Sequence, residues 1–84
     1  MAGIRLGVGA HKLEIQLNTV LTPVEIVRYD GREMSRRSSW FGTTHAFDVD
    51  EDGRRANYEV KTFFSWRGAG CTVRRNGELI YEQF

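Results

Sequence analysis

Residues 48–59, DVDEDGRRANYE, are compatible with two quite different structures. Asp48, Asp50, Asp52, Gly53 and Glu59 match the D-x-[DN]-x-[DN]-G-x5-E spacing of an EF-hand loop, in which alternating carboxylates surround one calcium ion. The same residues put Asp52-Gly53 at the centre of a two-residue turn, because both residue types accept the positive φ of a type I′ hairpin. The flanks decide between the two. An EF-hand needs a helix on each side. SSWFGTTHAF ahead of the loop carries Gly42 and the β-branched pair Thr43-Thr44, and VKTFFSWRG behind it is β-branched and aromatic. Arg54 and Arg55 inside the loop also repel a cation. The expected structure is a hairpin with its tip at Asp52-Gly53. A weak surface calcium site on Asp48, Asp50, Asp52 and Glu59 is the remaining metal alternative.

The register of that hairpin is legible. A two-residue loop sets Glu51 opposite Arg54, Asp50 opposite Arg55, Val49 opposite Ala56, Phe47 opposite Tyr58 and His45 opposite Val60. Opposite charges face each other and apolar residues face apolar ones, pairs that contribute roughly 0.2–1 kcal/mol each. Further along, Phe63 falls opposite Gly42, an arrangement in which an aromatic ring can cover a strand glycine.

Working outward, period-two alternation continues. Leu13, Ile15 and Leu17 share one face of HKLEIQLN; Ala56, Tyr58, Val60, Thr62, Phe64 and Trp66 share one face of ANYEVKTFFSWR. TPVEIVRY, CTVRR and ELIYEQF read as further strands, and no stretch reads as helix. Asp30-Gly31 and Asn76-Gly77 repeat the turn signal. A two-residue loop at the first pairs Arg28 with Glu33, Val27 with Met34 and Glu25 with Arg36; at the second it pairs Arg75 with Glu78 and Val73 with Ile80. The predicted fold is all-β: a small antiparallel β-sandwich of six to eight strands joined by tight hairpins, one domain over residues 1–84, with residues 1–9 less ordered.

A chain of 84 residues buries only about 60% of its unfolded surface, so stability is marginal and a separate substrate domain has no room. No apolar run approaches the roughly 20 residues of a membrane span. The N-terminus has no signal-peptide pattern. One cysteine, Cys71, permits no internal disulfide, which fits a reducing, cytoplasmic setting. A net charge of +1 gives no strong electrostatic case for nucleic acid or lipid. Ten of the twelve basic residues are Arg, and most of the Arg doublets have a carboxylate opposite at least one member in the registers above.

Candidate chemistry is sparse. His11 and His45 are the only histidines, too few for a metal centre with Cys71 far along the chain, and both read as strand residues. No signature supports a Cys71–His45 nucleophile. GVGAHK, residues 7–12, matches no phosphate-binding pattern. Arg36, Arg37 and Ser39 form an R-R-x-S motif inside a strand, where it is poorly accessible. The aromatics are needed for the core, Trp66 with Tyr58, Val60 and Phe64 above all. Composition also favours a core place for Trp40. Yet Trp40 follows an Arg/Ser-rich segment and is the more exposed candidate of the two tryptophans. If the domain binds a partner, Trp40 with Arg36 and Arg37 is the expected patch, since Trp and Arg are enriched among binding hot spots.

Taken in order, GAHKLEIQ, VEIVRYDGREMSRRSSWF, NYEVKTFFSW and CTVRRNGELIYEQ resemble the N-terminal half of the Fas apoptotic inhibitory molecule family. The likeness rests on His11, Lys12, Leu13 and Glu14; on Asp30, Gly31, Arg32 and Glu33; on Trp40; and on Asn76, Gly77 and Glu78. It covers roughly residues 9–82. The resemblance implies an antiparallel β-sandwich with a non-enzymatic role. Larger members of that family carry two such domains, and this chain has length for one. No catalytic residue carries over.

The functional expectation is a non-catalytic module, without cofactor, that binds another protein. The alternative is a small β-barrel-like nucleic-acid-binding domain, whose arginines and aromatics would gather on one solvent face with binding that weakens steeply with salt. The lesser alternative is calcium binding through residues 48–59.

Overall fold

The computed structural model describes residues 2–18, 24–38, 40, 42–65 and 68–83. They form eight strands: β1 (Ala2–Val8), β2 (His11–Asn18), β3 (Val24–Tyr29), β4 (Arg32–Ser38), β5 (Thr44–Glu51), β6 (Arg54–Ser65), β7 (Gly68–Arg75) and β8 (Glu78–Gln83). The strands make two four-stranded antiparallel sheets, ordered β1-β2-β3-β4 and β5-β6-β7-β8. The fold is all-β, with the strand and sheet content of a small antiparallel β-sandwich, and no helix occurs among the described residues. The chain divides into two compact units, Met1–Trp40 and Phe41–Phe84, with one sheet in each.

The first unit buries the face that alternation assigned. Leu13, Ile15, Leu17, Val27 and Tyr29 are buried, while Lys12, Glu14 and Gln16 lie toward the other face. That outer face carries a row of alternating charge across all four strands, Arg5–Glu14–Arg28–Glu33, set by register. Arg28 Nη1 also donates to Gln16 Oε1 at 2.7 Å. β1 lies within residues 1–9, the segment expected to be less ordered, and is a strand over Ala2–Val8 because it pairs along its whole length with β2. Ile4, Leu6 and Val8 alternate with Gly3, Arg5 and Gly7, and its connection to β2 is Gly9-Ala10 with Gly9 at φ 60°. Positive φ at the first position only is the pattern of a type II′ turn, which favours glycine there.

The second unit buries His45, Val49, Ala56, Tyr58, Val60, Thr62, Cys71 and Val73. The β5–β6 register matches the sequence expectation from Glu51↔Arg54 to His45↔Val60. Phe63 pairs with Gly70 on β7, and its ring covers that glycine: a Cβ at Gly70 would lie 2.5 Å from Phe63 Cε2. Gly42 lies against the backbone of the same residue, where a Cβ would stand 2.7 Å from Phe63 Cα.

All three Asx-Gly turns have both central residues at positive φ: Asp30 50° and Gly31 82°, Asp52 54° and Gly53 86°, Asn76 51° and Gly77 84°. This is the type I′ requirement. Two of the turns share a further device. Asp30 N–H donates to the Lys12 carbonyl (2.8 Å) while Lys12 N–H donates to Asp30 Oδ1 (2.8 Å). Asn76 N–H donates to the Asn57 carbonyl (2.7 Å) while Asn57 N–H donates to Asn76 Oδ1 (2.9 Å). Each turn residue is thereby tied to the strand beyond its own hairpin.

Beyond these two turns the registers depart from the simple expectation. Arg28↔Glu33 and Arg75↔Glu78 hold, but Val27 pairs with Ser35 rather than Met34, Glu25 with Arg37 rather than Arg36, and Val73 with Tyr81 rather than Ile80. One extra residue, Met34 in β4 and Ile80 in β8, is inserted as a bulge. Both lie on edge strands, where a bulge disturbs a single ladder and bends the edge away from foreign strands.

Candidate functional site

β4 ends the first sheet, and its sequence, REMSRRS, leaves Arg32, Arg36, Arg37 and Ser38 exposed. Successive strand residues point to opposite faces. Arg36 and Arg37 therefore flank the free edge from its two sides and do not form a single face. Arg36 turns back along its own strand, donating from Nη2 to Glu33 Oε1 (2.8 Å) and from Nε to Glu33 Oε2 (3.3 Å). This pairing holds the Glu33 carboxyl below its usual range. Arg37 takes the register position opposite Glu25, which is buried.

Trp40 follows two residues beyond β4 and is 70% exposed, the most exposed large hydrophobic side chain among the described residues. The core place that composition favoured for it is not what the structure has. It lies past the end of the ladder, so no strand pairing turns its indole toward a buried face. Trp40 thus lies just past the end of this edge strand with an unshielded indole, three residues beyond Arg37, while the exposed guanidinium groups of Arg36 and Arg37 stand on opposite sides of the strand. Trp66, Ser39, Phe41 and Arg67 lie outside the described residues.

The residues of the calcium spacing are on a hairpin. Asp48 and Asp50 are exposed on β5, Asp52 sits in the turn, and Glu59 is on β6 opposite Ala46 and Arg74. Asn57 Nδ2 donates to Asp48 Oδ1 (2.9 Å), and Arg55 Nε stands 3.6 Å from Asp48 Oδ2. Among the described residues, no group of three or more His, Cys, Asp or Glu side chains could hold a metal ion. A strand pair spreads carboxylates along its length and cannot wrap them around one cation.

His11 and His45 are separated by their strands. His11 Nδ1 lies 2.7 Å from Asp30 Oδ2, and its ring stacks on Tyr29 at 5.3 Å between centroids. That hydrogen bond, with the Lys12 N–H, holds Asp30 below the usual carboxylate range. His45 is buried opposite Val60. Cys71 is also buried, and desolvation pushes its thiol up to about 11. A thiol so disfavoured as thiolate is a poor nucleophile.

Sequence reasoning missed a buried polar cluster. The Tyr58 hydroxyl donates to Glu51 Oε2, and Arg75 donates to Glu51 Oε1 from Nε (2.9 Å) and Nη2 (2.5 Å). Tyr58 and Arg75 are register partners, whereas Glu51 is reached from the end of β5. Burial first, and then the Glu51 contact, push the Tyr58 phenol up to about 12. The cluster satisfies every member with a charged or phenolic partner, which is how a strand end buries a carboxylate. In the sequence, Glu51 reads only as the partner of Arg54.

Among the described residues, no helix is long and apolar enough to cross a membrane. Comparison with known proteins gives no match to a family model, to a curated protein or to a solved structure.

Proposed function

We propose that this chain is a non-catalytic β module that binds another protein through Trp40, Arg37 and Arg36 at the end of β4. The exposure of Trp40 carries the reading. An indole that is 70% in water is costly to leave uncovered, and tryptophan and arginine are the residues that most often anchor protein interfaces. The resemblance to the Fas apoptotic inhibitory molecule family belongs to the same proposal, because Trp40 and the Asp30-Gly31 hairpin are among the residues that carry it. The alternating row Arg5–Glu14–Arg28–Glu33 favours a protein partner over nucleic acid, since carboxylates beside the arginines weaken the attraction for phosphate.

The test is affinity capture from the native source in parallel with Trp40→Ala, Arg37→Glu and, as a control on the second sheet, Leu79→Ala. A partner retained by the wild type and by Leu79→Ala, resistant to nuclease, and lost with the other two variants supports the reading. Identical capture by all four proteins overturns it. In a Trp66→Phe background, Trp40 is expected to emit at long wavelength and to be quenched freely by acrylamide; a short-wavelength, protected indole removes the patch.

A further inference from the structure

The four sheet edges are not equally defended. β4 carries a bulge at Met34 and exposed arginines, β8 carries a bulge at Ile80, and β5 ends in Asp48, Asp50 and Glu51. Bulges and charges of this kind are how β proteins keep foreign strands off an open edge. β1 has no bulge and a single charge. Its pairing with β2 runs without a shift from Ala2↔Leu17 to Val8↔His11, it contains no proline, and its one charge is Arg5. The outer-face positions on either side of Arg5 are Gly3 and Gly7. A Cβ at Gly7 would meet nothing within 4 Å.

The apolar row of this strand is also incompletely covered. Leu13 and Ile15 on β2 are 0% and 1% exposed, whereas their partners Leu6 and Ile4 on β1 remain half-buried, as does Val8. Because a two-residue loop closes on Val8↔His11, the even-numbered residues of β1 turn their backbone groups toward β2. The N–H and C=O groups of Gly3, Arg5 and Gly7 point to the open edge.

We propose that β1 pairs antiparallel with β1 of a second copy of this chain, extending the first sheet across a two-fold axis at Leu6. This proposal goes beyond the partner-binding reading and uses the opposite edge of the sheet. Like faces match only if even residues oppose even ones. Among such registers, the one centred on Arg5 opposes two guanidinium groups. The one centred on Leu6 sets Leu6 against Leu6, Ile4 against Val8, and each Arg5 against the Gly7 of the other copy. That register buries the half-covered apolar row, gives each Arg side chain a neighbour without one, and lets Arg5 and Gly7 exchange backbone hydrogen bonds. The interface is isologous, so each favourable pair occurs twice.

Sedimentation equilibrium of the full chain from micromolar to millimolar concentration is expected to show a reversible monomer–dimer equilibrium. Gly7→Glu faces Arg5 of the other copy and should tighten the dimer by roughly 2- to 30-fold, while Gly7→Lys should weaken it comparably, because each cross-strand charge pair occurs twice. Circular dichroism checks that both variants remain folded. Independently, Leu6→Cys should form an intermolecular disulfide with oxidised glutathione. Ile4→Cys should do so only when mixed with Val8→Cys, since opposed Cα atoms of such pairs lie within disulfide reach. A wild type that stays monomeric at millimolar concentration overturns the proposal. So does self-cross-linking of Ile4→Cys without that of Leu6→Cys, or the same response to Glu and Lys at Gly7.

Discussion

Glu51 at the end of β5 accepts two hydrogen bonds from Arg75 at the end of β7, with Arg75 Nε at 2.9 Å and Nη2 at 2.5 Å from the same carboxylate oxygen. The contact skips the intervening strand β6 and encloses the Tyr58 hydroxyl, which takes the other Glu51 oxygen. Three strands of the second sheet are thereby fastened at one end by side chains as well as by backbone.

Glu51→Ala is expected to leave the buried Tyr58 hydroxyl without its acceptor, a loss of about 1–3 kcal/mol. Glu51→Gln keeps an acceptor for Tyr58 and should lose less. Urea unfolding of the two variants measures the difference; equal stability to wild type would show that the cluster contributes nothing.

The same cluster sets an alkaline limit. The folded protein raises the Tyr58 phenol from 10.0 to about 12, so between those values the folded state holds a proton that the unfolded state releases. The stabilisation is complete below pH 10 and is lost as pH rises toward 12. Unfolding midpoints measured across that range should fall for the wild type, and the part due to this group should vanish in Tyr58→Phe.

Cys71 should behave as a reporter of opening. Buried and with its thiol pushed up to about 11, it should react with a disulfide reagent at pH 8 only through unfolding. Denaturant at the unfolding midpoint should accelerate labelling by orders of magnitude. Prompt labelling in native buffer would contradict the buried position.

Gly70 tests the packing of β6 on β7. A Cβ there would lie 2.5 Å from Phe63 Cε2 and 2.6 Å from the Gln83 carbonyl oxygen. The ring can swing away but the Gln83 backbone cannot move without disturbing β8. Gly70→Ala is therefore expected to cost about 1–3 kcal/mol, the range for overpacking. In a Phe63→Ala background the cost should shrink without vanishing, which a double-mutant cycle in urea would read.

Gly77 tests the turn. Its φ of 84° is open to glycine and strained for a β-branched residue, although no atom stands within 4 Å of a Cβ built there. Gly77→Val should lower stability by more than about 1 kcal/mol through backbone strain alone. An unchanged melting temperature would show that the turn relaxes into another type.

The sequence by itself determined the all-β class, the strands from β2 onward and the nearest-turn pairings. Alternation marks which residues of β2, β5 and β6 are buried, and the Asx-Gly pairs fix three turns, because side-chain direction and positive φ are local properties of the chain. The Asp52-Gly53 hairpin was legible from tip to His45↔Val60 for that reason. What lay beyond local rules was decided by tertiary structure. β1 became a strand because β2 offered it a ladder, although two glycines give its segment little intrinsic preference. The bulges at Met34 and Ile80 depend on each strand's position at a sheet edge, which no short window of sequence reveals. The same holds for the candidate site. Trp40, Arg36 and Arg37 could be named from composition, but the exposure of Trp40 follows from where β4 stops pairing, and the burial of Glu51 follows from where Tyr58 and Arg75 meet it. Burial is a property of the assembled strands, and a carboxylate far from its partners in sequence gives no local sign of it.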